Sequence, residues 1–225
     1  MSRFFISDIH AFHELQLYEK YRNFPSLENM HEIIVYRWNK VVSKHDTTYI
    51  VGDFSFGKFE ETKEFLSRLN GKKILIVGNH DRRSKRLLKY RDYIEMGFSD
   101  IMDEDVIKFS VNENGTTRKI PVHLKHYPYH WHPLREIYNK VAQLFGAFRE
   151  DSKTYHQFYP KYTPMWHIHG HYHAGPLVHD NEINVSWDTL GGYPISESKI
   201  IALIREQEKR SKIIRYLERI LGRSI

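Results

Sequence analysis

The chain has 225 residues, 40% of them hydrophobic, a formal net charge of +6 and no cysteine. That length suffices for one domain whose core needs no covalent staple, and the missing thiols exclude disulfides and leave only histidine, carboxylate and amide groups to hold a metal. An acidic residue as early as Asp8 does not fit a signal peptide, and no stretch reaches the roughly 18 apolar residues of a spanning helix, so the expectation is a cytoplasmic protein with no membrane contact.

Phe4 to Ser7 reads as a short buried strand, followed by Asp8-Ile9-His10. In extended backbone, positions i and i+2 share a face, so Asp8 and His10 can converge on one ion. Leu27 to Lys44 places Ile33, Ile34, Trp38, Val41 and Val42 at helical spacing and predicts an amphipathic helix covering a sheet. Thr48 to Val51 is a second strand, ending in Gly52-Asp53. Glu60 to Leu69 is a second helix, stopped at Asn70-Gly71. Ile74 to Val77 is a third strand, running into Gly78-Asn79-His80-Asp81. Strands and helices that alternate in this way predict parallel pairing through crossovers, with each strand end delivering a residue able to bind metal.

Six basic residues and no acidic ones lie between Arg82 and Arg91. Tyr93 to Met102 and Val106 to Val111 read as extended, and Asn114-Gly115 predicts a hairpin into Lys119 to Leu124, followed by His126. The stretch 130–163, rich in aromatic and basic residues with a predicted helix from Leu134 to Phe148, reads as an insertion or lid. Two further strands are expected, Met165 to His169 before Gly170-His171-Tyr172-His173, and Ile183 to Ser186 before Trp187 and Asp188. A helix is expected from a Ser196 cap, its second half either continuous or separate, within a basic extension at 196–225. Seven basic and three acidic residues lie between Arg205 and Arg223. Both basic clusters can attract phosphate, though such runs are also common on solvated faces.

Ten of the fifteen histidines lie between His123 and His179, which points to metal or phosphate chemistry. His167, His169, His171 and His173 alternate, so two overlapping pairs could supply ligands. Asn184, near a strand end, is placed to orient a ligand histidine. His13, His45, His123, His156 and His179 carry no motif and read as surface or packing residues.

The ordered set Asp8-x-His10, Gly52-Asp53, Gly78-Asn79-His80-Asp81, His126 and Gly170-His171-Tyr172-His173 resembles the calcineurin-like metallophosphoesterase superfamily, in particular its small bacterial and phage members. The resemblance runs from residue 4 to about residue 188. It implies an α/β, four-layer fold of two packed mixed sheets flanked by helices, here as a single domain over 1–225. It also implies that Asp8, His10 and His173 bind one divalent cation, that Asn79, His126 and His171 bind a second, and that Asp53 bridges them. The same order selects His171 and His173 from the alternating histidines and leaves His167 and His169 as structural or supporting residues.

Oxygen and nitrogen ligands without sulfur suit Mn²⁺ first, with Fe, Ni²⁺ or Zn²⁺ as alternatives. His80 matches the superfamily's catalytic histidine at the leaving-group oxygen, oriented by Asp81; the competing role for His80 is a further metal ligand. The implied reaction is hydrolysis of a phosphomonoester or phosphodiester by a metal-bridging hydroxide. The basic and aromatic stretches favour a nucleotide-like substrate or a nucleic-acid end. The competing readings are a nuclease or cyclic-nucleotide phosphodiesterase with the same centre, and a non-catalytic scaffold.

Overall fold

A computed structural model of the chain describes residues 1–18, 22–83, 90–113, 115–129, 159–173 and 175–221. The first sheet contains β1 (Arg3–Ile6), β2 (Thr47–Val51), β3 (Lys72–Ile76) and β4 (Asp100–Met102), all parallel, with β10 (Ile195–Ser196) antiparallel on the other edge of β1. The second sheet has the order β5 (Asp105–Glu113), β6 (Thr116–Leu124), β7 (Trp166–His169), β9 (Glu182–Asn184) and β8 (Val178–His179). Its β5–β6 hairpin is antiparallel, whereas β6, β7 and β9 run parallel. Both sheets are therefore mixed, as expected.

Alternation along the strands explains how the layers are glued. Phe4, Ile6, Ile50 and Leu75 face one core together with Met30, Ile34 and Trp38 of α1 (Leu27–Val41), Phe65 and Leu66 of α2 (Phe59–Ser67), and Tyr93 and Met96 of α4 (Tyr90–Met96), which follows the short α3 (Asn79–Arg83). Their neighbours Phe5, Tyr49, Val51 and Ile76 face the opposite way, onto Phe109, Val122, Leu124, Ile168 and Ile183 of the second sheet. The first sheet is thus apolar on both faces, which is why its strands read as unbroken hydrophobic runs. On the second sheet, β5 alternates buried and exposed side chains.

Helix α1 is capped by Ser26, whose Oγ accepts the Asn29 N–H at 3.1 Å, and its last turn ends at Val41 rather than Lys44. The extended reading of Tyr93 to Met102 is corrected: only Asp100–Met102 is strand, and Tyr90–Met96 is helical. Tyr93 and Met96 bury one helical face, Arg91 pairs with Glu95 one turn on, and Gly97 at φ +115° ends the helix. The C-terminal helix, α5 (Glu197–Leu221), is continuous rather than split, and Ile200 and Ile204 anchor it in the core between the sheets. No helix among the described residues is long and apolar enough to cross a membrane. The lid-like stretch lies outside the described residues except for 159–163, as does the basic run at 84–89.

Candidate metal centre

Parallel β1, β2 and β3 end side by side, and the loops that follow converge with those after β6 and β7 on one buried polar cluster. Asp8, His10, Asp53, Asn79 and His126 are each at most 6% exposed. Asp8, His10, Asp53 and His171 all have positive φ, at 55°, 50°, 56° and 69°. Left-handed backbone is unusual outside glycine, but Asp and His tolerate it better than most residues; such strain persists where the surroundings over-determine it, typically at functional sites. Asp8 and His10 therefore converge through tight left-handed turns, not through the strand alternation expected of them. Gly78 contributes closeness more than a turn. A Cβ there would overlap Asp53 Oδ1 and its backbone nitrogen.

Two groups of ligand atoms form. In one, His10 Nε2 lies 3.1 Å from His173 Nε2, and Asp8 Oδ1 lies 3.8 Å and 3.6 Å from the two rings. In the other, His126 Nε2 lies 3.0 Å from Asn79 Oδ1 and 3.3 Å from Asp53 Oδ2. Asp53 Oδ2 is also 3.8 Å from His10 Nε2, so this carboxylate stands between the groups. Asp8, His10 and His173, and likewise Asp8, Asp53 and His126, place ligand atoms within 4.8 Å of one another. His171 is outside both triplets. Its ring lies edge-on to His126 at 5.3 Å, and its backbone N–H donates to Asp8 Oδ2 at 3.0 Å.

The outer nitrogens of two ligand rings are committed to acceptors. His173 Nδ1 donates to Asp188 Oδ2 at 2.9 Å, and His126 Nδ1 donates to the Val51 carbonyl at 2.9 Å. Their Nε2 atoms are thereby turned inward as lone pairs, that of His126 toward Asn79 Oδ1 and Asp53 Oδ2, that of His173 toward the His10 ring and Asp8 Oδ1. Asp8 Oδ1, buried among them, has no hydrogen-bond partner. Acceptors that face acceptors need a proton or a cation between them. Without a cation, protons take that place: burial disfavours a charged His126, but Asp53 and Asp8 outweigh it and raise its pKa to about 10. Asp53 titrates oppositely, near 2, because the His126 charge overcomes its burial. Burial holds His10 neutral, down at about 4, and burial with the His126 charge takes His171 to about 3. The donor set fits divalent cations.

His80 projects beside this cluster. Its backbone N–H donates to Asp53 Oδ1 at 2.8 Å, and its ring Nε2 lies 4.0 Å from Asp53 Oδ2. The Asp81 carboxylate, expected to orient His80, is engaged by three backbone amides. Asp81 Oδ2 accepts the N–H groups of Asp53 and Gly78, both at 2.8 Å, and Oδ1 accepts that of Phe54 at 3.0 Å. Burial and the nearby Asp53 charge raise the Asp81 pKa to about 6 despite these bonds. Its position ties the Asp53 loop to the Asn79 turn.

The expectation for Asn184 is corrected: it does not orient a ligand ring but binds the Tyr172 carbonyl through Nδ2 at 2.7 Å and receives the Ser186 N–H. Asp188 orients His173 instead. Its carboxylate is held by Arg22 at 2.9 and 3.0 Å, and the same guanidinium donates to the carbonyls of Ile9 and Asp8. Nothing in the spacing of Arg22 announced this role, while Asp188 had the one available signal, a carboxylate just past a strand end. His31 was also missed, while His13 packs as expected. His13 stacks on Phe56 near His10, and His31 Nε2 accepts the Phe12 N–H at 3.0 Å. His167 and His169 are buried on β7, where they donate to the carbonyls of Tyr127 and Gly170 at 2.9 and 2.8 Å.

Comparison with known proteins matches residues 1–185 to the model of the calcineurin-like phosphoesterase family. The chain belongs to that family. It is 24% identical over 223 residues to an uncharacterised protein of Methanocaldococcus jannaschii, covering 94% of each chain. With the gene 66 protein of Mycobacterium phage L5 it shares 27% identity over 212 residues, 89% of this chain and 92% of the phage protein. A crystal structure of an Aquifex aeolicus protein of unknown function aligns with a TM-score of 0.55 and 25% identity, over 90% of this chain and 98% of that one. Family membership and the clustered Asp and His ligands support a metal-dependent hydrolase of phosphate esters.

Proposed function

We propose that the protein hydrolyses a phosphomonoester or phosphodiester, with a nucleotide-like substrate, at a centre of two divalent cations, Mn²⁺ being the first choice. Asp8, His10 and His173 would hold one cation, Asn79, His126 and His171 the other, and Asp53 would touch both. The observation that carries this reading is the convergence of Asp8, His10 and His173 on one side of Asp53 and of Asn79 and His126 on the other, with the Nε2 atoms of His126 and His173 turned inward. When bound, the cations supply positive charge for the phosphoryl oxygens and acidify a water.

The chain's own residues set the geometry for that chemistry. Val51 O and Asp188 fix the tautomers of His126 and His173, so both rings present Nε2. Asp81 braces the two loops that carry Asp53 and Asn79. His80, side chain partly exposed, gives a proton from its imidazole N–H to the leaving oxygen or stabilises the charge that develops there. The basic run from Arg82, directly behind this histidine in sequence, supports an anionic substrate.

The test is turnover of nitrophenyl phosphate mono- and diesters by the Mn²⁺-reconstituted protein, with His80→Ala as control. The wild type should turn over at least one ester, and His80→Ala should lower turnover about 100-fold or more with metal content intact. Silence on both ester types across several metals would contradict the reading, and loss of both metals in the variant would reassign His80 as a ligand.

A further inference from the structure

A ring that none of the roles above uses stands at the mouth of the centre. Phe56 is 40% exposed, one of few large apolar side chains left open to solvent among the described residues. It is not a loose surface side chain. Its N–H donates to the Ala11 carbonyl at 2.8 Å, Ala11 N–H donates to the Phe54 carbonyl at 3.0 Å, and His10 N–H donates to the Asp53 carbonyl at 3.0 Å. The loops after Asp8-x-His10 and after Asp53 are thus zipped together, and this places the ring. His13 stacks on it face to face, with centroids 3.9 Å apart and planes 4° apart. His80 lies 4.8 Å away and His10 5.5 Å.

We propose that Phe56, backed by His13, is a stacking platform for the leaving group, and that the preferred substrates are phosphate esters whose leaving group carries a flat aromatic or heteroaromatic ring. This rests on the phosphoesterase reading and on His80 marking the leaving-group side. A leaving oxygen within hydrogen-bond reach of the His80 ring puts the group attached to it against the neighbouring aromatic rim. An exposed aromatic surface there gains little from an alkyl chain and much from a planar ring. Stacking on an aromatic side chain tolerates any base, so the platform selects planarity rather than one nucleobase.

Binding of phenylphosphonate and methylphosphonate, which cannot be hydrolysed as esters, separates the platform from the reaction. The Mn²⁺-loaded wild type should bind phenylphosphonate about tenfold or more tightly than methylphosphonate, as a single stacking contact implies. Phe56→Ala and Phe56→Leu should bring the ratio toward one, and Phe56→Trp should keep it. Equal affinities in the wild type, or an unchanged ratio in Phe56→Leu with bound metal intact, would overturn the platform, as would failure to bind either phosphonate. Retained discrimination without turnover of any ester would support the platform and contradict only the hydrolytic reading; turnover without discrimination would do the reverse.

Discussion

The two ligand groups are alike in composition and unlike in how they are braced. The group of Asp8, His10 and His173 is held from behind by side chains: Asp188 takes the His173 Nδ1 proton, and buried Arg22 clamps Asp188 while also gripping the Asp8 and Ile9 carbonyls. In the group of Asn79 and His126 the ring is held by backbone, and a carboxylate braces the loops rather than the ring. His126 donates to the Val51 carbonyl, and Asp81 gathers the amides of Asp53, Phe54 and Gly78. A backbone acceptor cannot be deleted by mutation, whereas a carboxylate brace can. The first group should therefore be separable from the second, and Asp53, proposed to touch both cations, should not be.

The largest effect is expected at the shared position. Asp53→Ala removes the carboxylate between the groups, and metal analysis of the purified variant should find both cations lost, with turnover down by about 10³-fold or more, since charge stabilisation by bound metal is worth several kcal/mol. Retention of one tightly held cation would break the idea of a shared ligand. A smaller and one-sided effect is expected from Asp188→Asn, which weakens the His173 brace and removes the carboxylate charge opposite Arg22. Affinity for one cation should fall by about 10- to 100-fold and the other should be unchanged, as a two-step calorimetric titration would show.

The smallest effect concerns the loop that leads away from His10. Burial, with Arg68 nearby, lowers the His31 pKa below its ordinary value. In the unfolded chain this ring protonates as pH falls through about 6.5, while the folded ring resists protonation because its Nε2 accepts the Phe12 N–H. Its contribution to stability is therefore full above about pH 6.5 and is lost as pH falls toward the lower folded value. His31→Gln, which can accept the same N–H without titrating, should flatten part of the acid-side slope of denaturant-measured stability. An identical slope in the two proteins would remove His31 from the pH response.

The first sheet was legible because Phe4 to Ser7, Thr48 to Val51 and Ile74 to Val77 are continuous apolar runs that end in polar loops, and a sheet buried on both faces demands such runs. The ligand types were legible for the same reason, each lying just past a strand. Tyr93 to Met96 was misread because a short segment with two inward apolar residues fits either period, and the Gly97 turn that settles it is a three-dimensional fact. Arg22 was illegible because its partners Asp188 and the Asp8 carbonyl are brought to it only by the fold. The expectation that Asp81 orients His80 came from the superfamily resemblance alone. The Asp81 side chain in fact points back to the amides of the preceding loops.

Counting the Mn²⁺ retained per chain by the wild type and by Asp188→Asn at limiting free metal tests the account most directly. Two cations bound by the wild type and one by the variant are predicted. A wild type that holds none, or a variant that loses or keeps both, would contradict two separately braced sites.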